Sequence, residues 1–128
     1  MTNEKKKVVA VLSDLMFTVK IQEAAKRAGM EPVFVNSQKD AIAQARLHPA
    51  VIIFDLNHSG VEPLELIAKL KSDEETKGIS LLGYVSHVQV DLRKAAEEKG
   101  CDVVIARSAF SQNLPALLER YASGGGNE

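Results

Sequence analysis

The sequence predicts an α/β fold, a doubly wound parallel sheet of five strands with helices on both faces. Three observations carry this prediction. Short apolar runs rich in valine and isoleucine alternate with stretches of helical period. Glycine or proline stands at many of the junctions. The chain of 128 residues, 45% apolar and 26% charged, is the size of one ordinary domain with a real core.

The elements follow in order. "VVAVL" (Val8 to Leu12) is continuously apolar, as a strand buried on both faces must be. Phe17, Ile21, Ala24 and Ala28 then recur at spacings of three and four, and Gly29 is placed to end that helix in a left-handed cap. "PVFV" (Pro32 to Val35) is the second strand, with proline tolerated at its start. Ser37, with Asp40 three residues on, resembles a capping box for a helix that turns Ile42 and Ala45 inward and stops before Pro49. "VIIF" is the third strand. Pro63 suits the first turn of the next helix, whose inner face is Leu66, Ile67 and Leu70. "ISLLGYV" (Ile79 to Val85) is the fourth strand, weakened at Gly83. Val88, Leu92, Ala95 and Ala96 give the fourth helix, closed by Gly100. "CDVVIA" is the fifth strand, and Leu114, Leu117, Leu118 and Tyr121 form the stripe of the last helix.

Five strands and five helices in alternation imply right-handed crossovers and, at this length, the flavodoxin-like strand order 2-1-3-4-5. The sequence divides into a charged arm (1–7), one domain (8–122) and a tail (123–128), "SGGGNE", expected to be disordered. The formal net charge of −1 suggests neither nucleic acid nor an anionic membrane as a partner. The lone cysteine, Cys101, excludes an internal disulfide and fits a reducing compartment. No apolar run is long enough for a membrane span, so a cytoplasmic location is expected.

Open parallel sheets bind ligands where strand order reverses, here beyond the ends of strands 1 and 3. Ser13 and Asp14 follow strand 1, and Asp55 ends strand 3 in "VIIFDLNHSG". Two neighbouring carboxylates repel unless a cation sits between them, and a hard cation such as Mg²⁺ prefers oxygen ligands. The plainer readings remain open: Asp14 as a helix cap, and Asp55 as a solvated strand-end residue.

Over about Val8 to Tyr121, the order of elements, the strand-3 aspartate and "DLNHSG" resemble bacterial response-regulator receiver domains (CheY-like). "ARSAF" lies where that family has a Lys-Pro-Phe turn. The resemblance implies phosphorylation of the strand-3 aspartate by a partner histidine kinase. It also implies Mg²⁺ held by acids after strand 1, by that aspartate and by a backbone carbonyl. Asp55 matches the phospho-acceptor, Asp14 the second strand-1 acid, and Asn57 the residue offering its carbonyl.

The departures are as specific as the matches. Ser13 replaces the first acid, Val85 the strand-4 hydroxyl residue, Arg107 the strand-5 lysine, Val104 the aromatic switch residue and Ser59 the proline. Ser13 weakens the Mg²⁺ site. Ser86 stands in for the missing hydroxyl only if the chain leaves strand geometry there, because side chains alternate faces. Arg107 keeps the charge in a planar fork able to contact phosphate or to pair bidentately with Asp55.

The expectation is therefore a stand-alone, non-enzymatic receiver-like domain acting through protein contacts, a degenerate receiver with weak or no phosphorylation at Asp55. A working phospho-receiver is the alternative. The resemblance places the contact face on strand 5 and its flanking helices, around Val88 to Lys99 and Phe110 to Arg120, with a homodimer compatible with it. A second alternative is a ligand- or transition-metal-binding domain, in which His58 and His87 join Asp14 and Asp55. No organic cofactor is expected: the loops lack a phosphate cradle, and "DLNHSG" lacks the Asp-x-His-x-x-Gly spacing of cobalamin binders. Ser13, Ser86 and Ser108 sit in no nucleophile elbow. Cys101, ahead of strand 5 at the opposite edge, reads as structural.

Overall fold

The computed structural model describes residues 5–86 and 89–124. The strands are β1 (Lys7–Val11), β2 (Glu31–Val35), β3 (Val51–Asp55), β4 (Ser80–Val85) and β5 (Val103–Ala106). The helices are α1 (Leu15–Arg27), α2 (Gln38–Ala45), α3 (Pro63–Ser72), α4 (Val90–Lys99) and α5 (Arg107–Ala122). All strand pairs are parallel, and the order is β2-β1-β3-β4-β5, as the alternation of elements predicts.

Period-two alternation along the central strands divides the core in two. Val9, Val11, Ile52, Phe54, Leu81, Val85 and Val104 pack with residues of α2, α3 and α4. Val8, Ala10, Val51, Ile53, Leu82 and Tyr84 pack with Phe17 and Ile21 of α1 and with Phe110, Leu114 and Leu118 of α5. Every residue of β3 is buried, which explains its unbroken apolar run. Each fully buried Ile, Leu or Phe in these layers contributes about 1.5–3 kcal/mol.

Local chemistry sets the helix ends. The Ser37 hydroxyl accepts the Asp40 N–H at 3.1 Å, Pro63 opens α3, and Gly100 at φ +115° closes α4 with a conformation that a side chain rarely adopts. Several boundaries differ from the sequence reading. Lys7, assigned to the arm, begins β1, and β5 starts at Val103 because Cys101 and Asp102 still lead into it. A 3₁₀ turn at Ser59–Val61, unsignalled in the sequence, ends on Glu62 in the left-handed region (φ 50°). Ser123 and Gly124, assigned to the tail, complete the end of α5: their N–H groups donate to the Glu119 and Tyr121 carbonyls. Residues 125–128 of the tail, 1–4 of the arm, His87 and Val88 lie outside the described residues.

Candidate functional site

At the carboxyl end of the sheet, Asp14 does two things at once. As N-cap of α1 it is extended (φ −79°, ψ 114°), and its Oδ1 accepts the N–H groups of Met16 at 2.9 Å and Phe17 at 3.3 Å. That is the capping role, and it satisfies amides that the helix cannot. Its Oδ2 accepts a hydrogen bond from Nη2 of Arg107, the first residue of α5. Ser13 beside it is exposed.

Asp55 is the last residue of β3 and is buried. Its Oδ1 accepts the Asn57 N–H at 3.0 Å, and its backbone carbonyl accepts the His58 N–H. The expected Arg107–Asp55 pairing is not the one formed: the guanidinium goes to Asp14 instead. Phe17 explains why. Its ring lies 4.7 Å below the Arg107 guanidinium carbon, so the first turn of α1 supplies both the carboxylate and the aromatic face.

Asn57 links the two loops. Its side-chain amide donates to Gln89 Oε1 at 2.8 Å, and its Oδ1 accepts the Ser86 N–H at 2.9 Å. β4 ends at Val85, so Ser86 does leave strand geometry, and it lines a cleft together with Arg107. Val85 and Val104 lie in the core layer facing α2 to α4, where neither offers a polar group. Ser59 opens the 3₁₀ turn.

His58 is engaged elsewhere, with Nε2 2.6 Å from Asn36 Oδ1. Among the described residues no three His, Cys, Asp or Glu side chains are grouped to hold a metal ion. The donor set at the switch point does not fit Mg²⁺ in this arrangement. Both Asp14 oxygens are engaged, a guanidinium already balances that carboxylate, and Ser13 supplies no second carboxylate. Cys101 is buried, and burial pushes its thiol pKa up to about 12, which makes it inert at neutral pH.

The sequence reading missed Tyr84. The register pairs it with Asp55, and alternation puts both on the α1/α5 face. Its ring stacks on Phe110 (4.6 Å between centroids) and meets Phe17 at 5.1 Å. Its hydroxyl is buried and has no hydrogen-bond partner among the described residues. Burial first, and the Asp55 carboxylate next, raise its pKa. Tyrosine in an apolar strand reads only as bulk. Its neighbour across the sheet becomes visible only with the register.

The strand order, with one acid ending β3 and another capping α1, is that of the CheY-like fold. No family model matches the sequence. The polar-differentiation response regulators DivK of Brucella ovis and Brucella melitensis are each 24% identical to it over 119 residues, which is 91% of this chain and 94% of theirs. Among solved structures, the phosphorylated cyanobacterial phytochrome response regulator RcpA superposes with a TM-score of 0.79 at 22% identity, over 95% of this chain and 96% of its own. The chemotaxis response regulator CheY4 of Vibrio cholerae gives 0.77 at 19% identity, over 91% and 98%. The Mn²⁺-bound response regulator Rcp1 gives 0.73 at 18%, over 89% of each chain.

Proposed function

We propose that this receiver domain signals through protein contacts in a degenerate mode, with Asp55 a retained acceptor position that is phosphorylated weakly or not at all. The observation that carries this reading is the Arg107–Asp14 pair. In the class, phosphoryl transfer to the strand-3 acid depends on positioning and on electrostatic stabilisation, so each lost group matters. Here the cation that would face a phosphoryl group is held by the carboxylate that would face Mg²⁺. Ser13 adds no second acid. Valines at 85 and 104 leave no hydroxyl–aromatic pair to report a modification. The output face is α4, β5 and α5, where Val90 is exposed, and its partner is a histidine kinase, a downstream signalling protein or a second copy.

One observation favours the alternative, a working phospho-receiver. Asp55 makes no ion pair among the described residues, and its Oδ1 alone is engaged. The two readings separate when the protein is incubated with Mg²⁺ and a small phosphodonor or beryllofluoride. The degenerate reading expects, at most, a small substoichiometric phosphoryl mass and correspondingly weak shifts near Asp55. The triple variant Ser13→Asp, Val85→Thr, Arg107→Lys is expected to gain modification. Stoichiometric labelling of the unmodified protein at Asp55 rejects the proposal.

A further inference from the structure

We propose that the cleft between the first turns of α1 and α5 is a binding site for a small phosphate monoester, held without metal and independently of any chemistry at Asp55. The cleft encloses about 460 Å³. Arg107 and Lys20 supply its charge, Ser86, Ser108 and Ser111 its hydroxyls, and Met16 and Phe17 its apolar wall. Among the described residues no carboxylate lines it. Asp14 reaches Arg107 from outside the lining.

The donors are only partly used. Lys20 Nζ donates to Ser111 Oγ at 2.8 Å, which uses one of its three hydrogens and leaves the Ser111 hydroxyl proton free to donate outward. Lys20 makes no ion pair among the described residues and lies 6.0 Å from the Phe17 ring. Two cations therefore lie near one aromatic ring, and only Arg107 of the two is paired with a carboxylate among the described residues. The N-cap of the 16-residue α5 is Ala106, whose side chain caps nothing, so the first-turn amides add the positive end of the helix. Such a surface, with donors converging from two helices and no lining acceptor of charge, suits an anion with several oxygens.

A monoester fits better than the bare ion because the apolar side is present too. Met16 is 67% exposed at the rim, available to an organic substituent. A second cleft of about 200 Å³, also lined by Lys20 and Ser111, offers such a substituent Ala24, Leu114 and Pro115, with Glu23 and Arg27 on its polar side. A phosphate seated here competes with Asp14 for Arg107.

The test uses phenyl phosphate with the whole chain in a chelator, followed by amide chemical shifts. Saturable shifts are expected at Phe17, Lys20, Ser108 and Ser111, with inorganic phosphate binding more weakly. Lys20→Met, at an exposed position, keeps the urea midpoint and loses about tenfold or more in affinity, the usual worth of a charge-assisted hydrogen bond. Lys20→Arg retains binding. The proposal fails if no saturable shift appears at concentrations on the order of millimolar, or if Lys20→Met binds as well as the parent. It also fails if inorganic phosphate binds as tightly as the ester, or if the shifts centre on Asn57 and not on α1 and α5. The absence of Mg²⁺ keeps this outcome separate from the phosphorylation test.

Discussion

Two side chains show how a single residue is constrained by its neighbours across the sheet. A methyl group at Gly83 would lie 2.8 Å from Leu56 Cδ1 and 3.3 Å from Cys101 Sγ, and both side chains are buried. Both must shift within the packed core to admit it. Gly83→Ala is therefore expected to cost about 1–3 kcal/mol, as overpacking does. A urea midpoint lowered at unchanged m-value is the measurement, and an unchanged midpoint would show that Leu56 gives way. The apparent weak spot of a glycine in a strand is thus a packing requirement. Tyr84 poses the opposite case, since its buried hydroxyl contributes no bond and carries a desolvation cost. Tyr84→Phe is expected to leave stability unchanged or raise it by about 1 kcal/mol. A loss of more than that in the same unfolding experiment would mean that the hydroxyl is satisfied in solution.

At the scale of elements, the ends of α1 and α5 are tied together by Asp14, and the loops after β3 and β4 by Asn57. The first tie separates cap from charge. Asp14→Asn keeps a capping oxygen and loses only a half-exposed ion pair, a cost of under about 1 kcal/mol. Asp14→Ala loses the cap as well, and about 1 kcal/mol more. Thermal unfolding of the two variants side by side checks the order. The second tie concerns motion. Asn57→Ala removes the acceptor of the Ser86 N–H, and a bond worth about 1 kcal/mol predicts roughly five- to tenfold faster hydrogen exchange at that amide. Exchange unchanged at Ser86 would show that the loop holds itself. The sequence made the capping oxygens of Asp14 and Ser37 legible, because an N-cap is a local pattern. It offered no means to choose between Asp14 and Asp55 as the partner of Arg107. That choice depends on Phe17, three residues beyond Asp14, presenting its ring beneath the guanidinium, which is a tertiary fact.

For the whole molecule, the alternation of apolar runs with helical periods was enough for topology, because a fully buried parallel sheet leaves few other ways to hide five such strands. Register was not legible, and with it went the Asp55–Tyr84 pairing. The same double-layered core sets how stability depends on pH. Burial raises the pKa values of Cys101, Tyr84 and Tyr121. All three are neutral acids in the folded state, so the folded chain holds these protons more tightly than the unfolded chain. The unfolded thiol releases its proton from about pH 8.5 and the unfolded phenols from about pH 10. Their contribution is complete at neutral pH and is lost as pH rises toward the folded values, by up to about 1.4 kcal/mol per pH unit for each group. Urea midpoints are therefore expected to stay level from pH 7 to about 8.5, as far as these groups act, and to fall steeply above pH 10. Cys101→Ala removes the thiol's share, so its midpoint should decline less between pH 9 and pH 10, where the phenols contribute little. Parallel decline of parent and variant across that interval would show that the Cys101 thiol is not held protonated by the packing of β4 against β5.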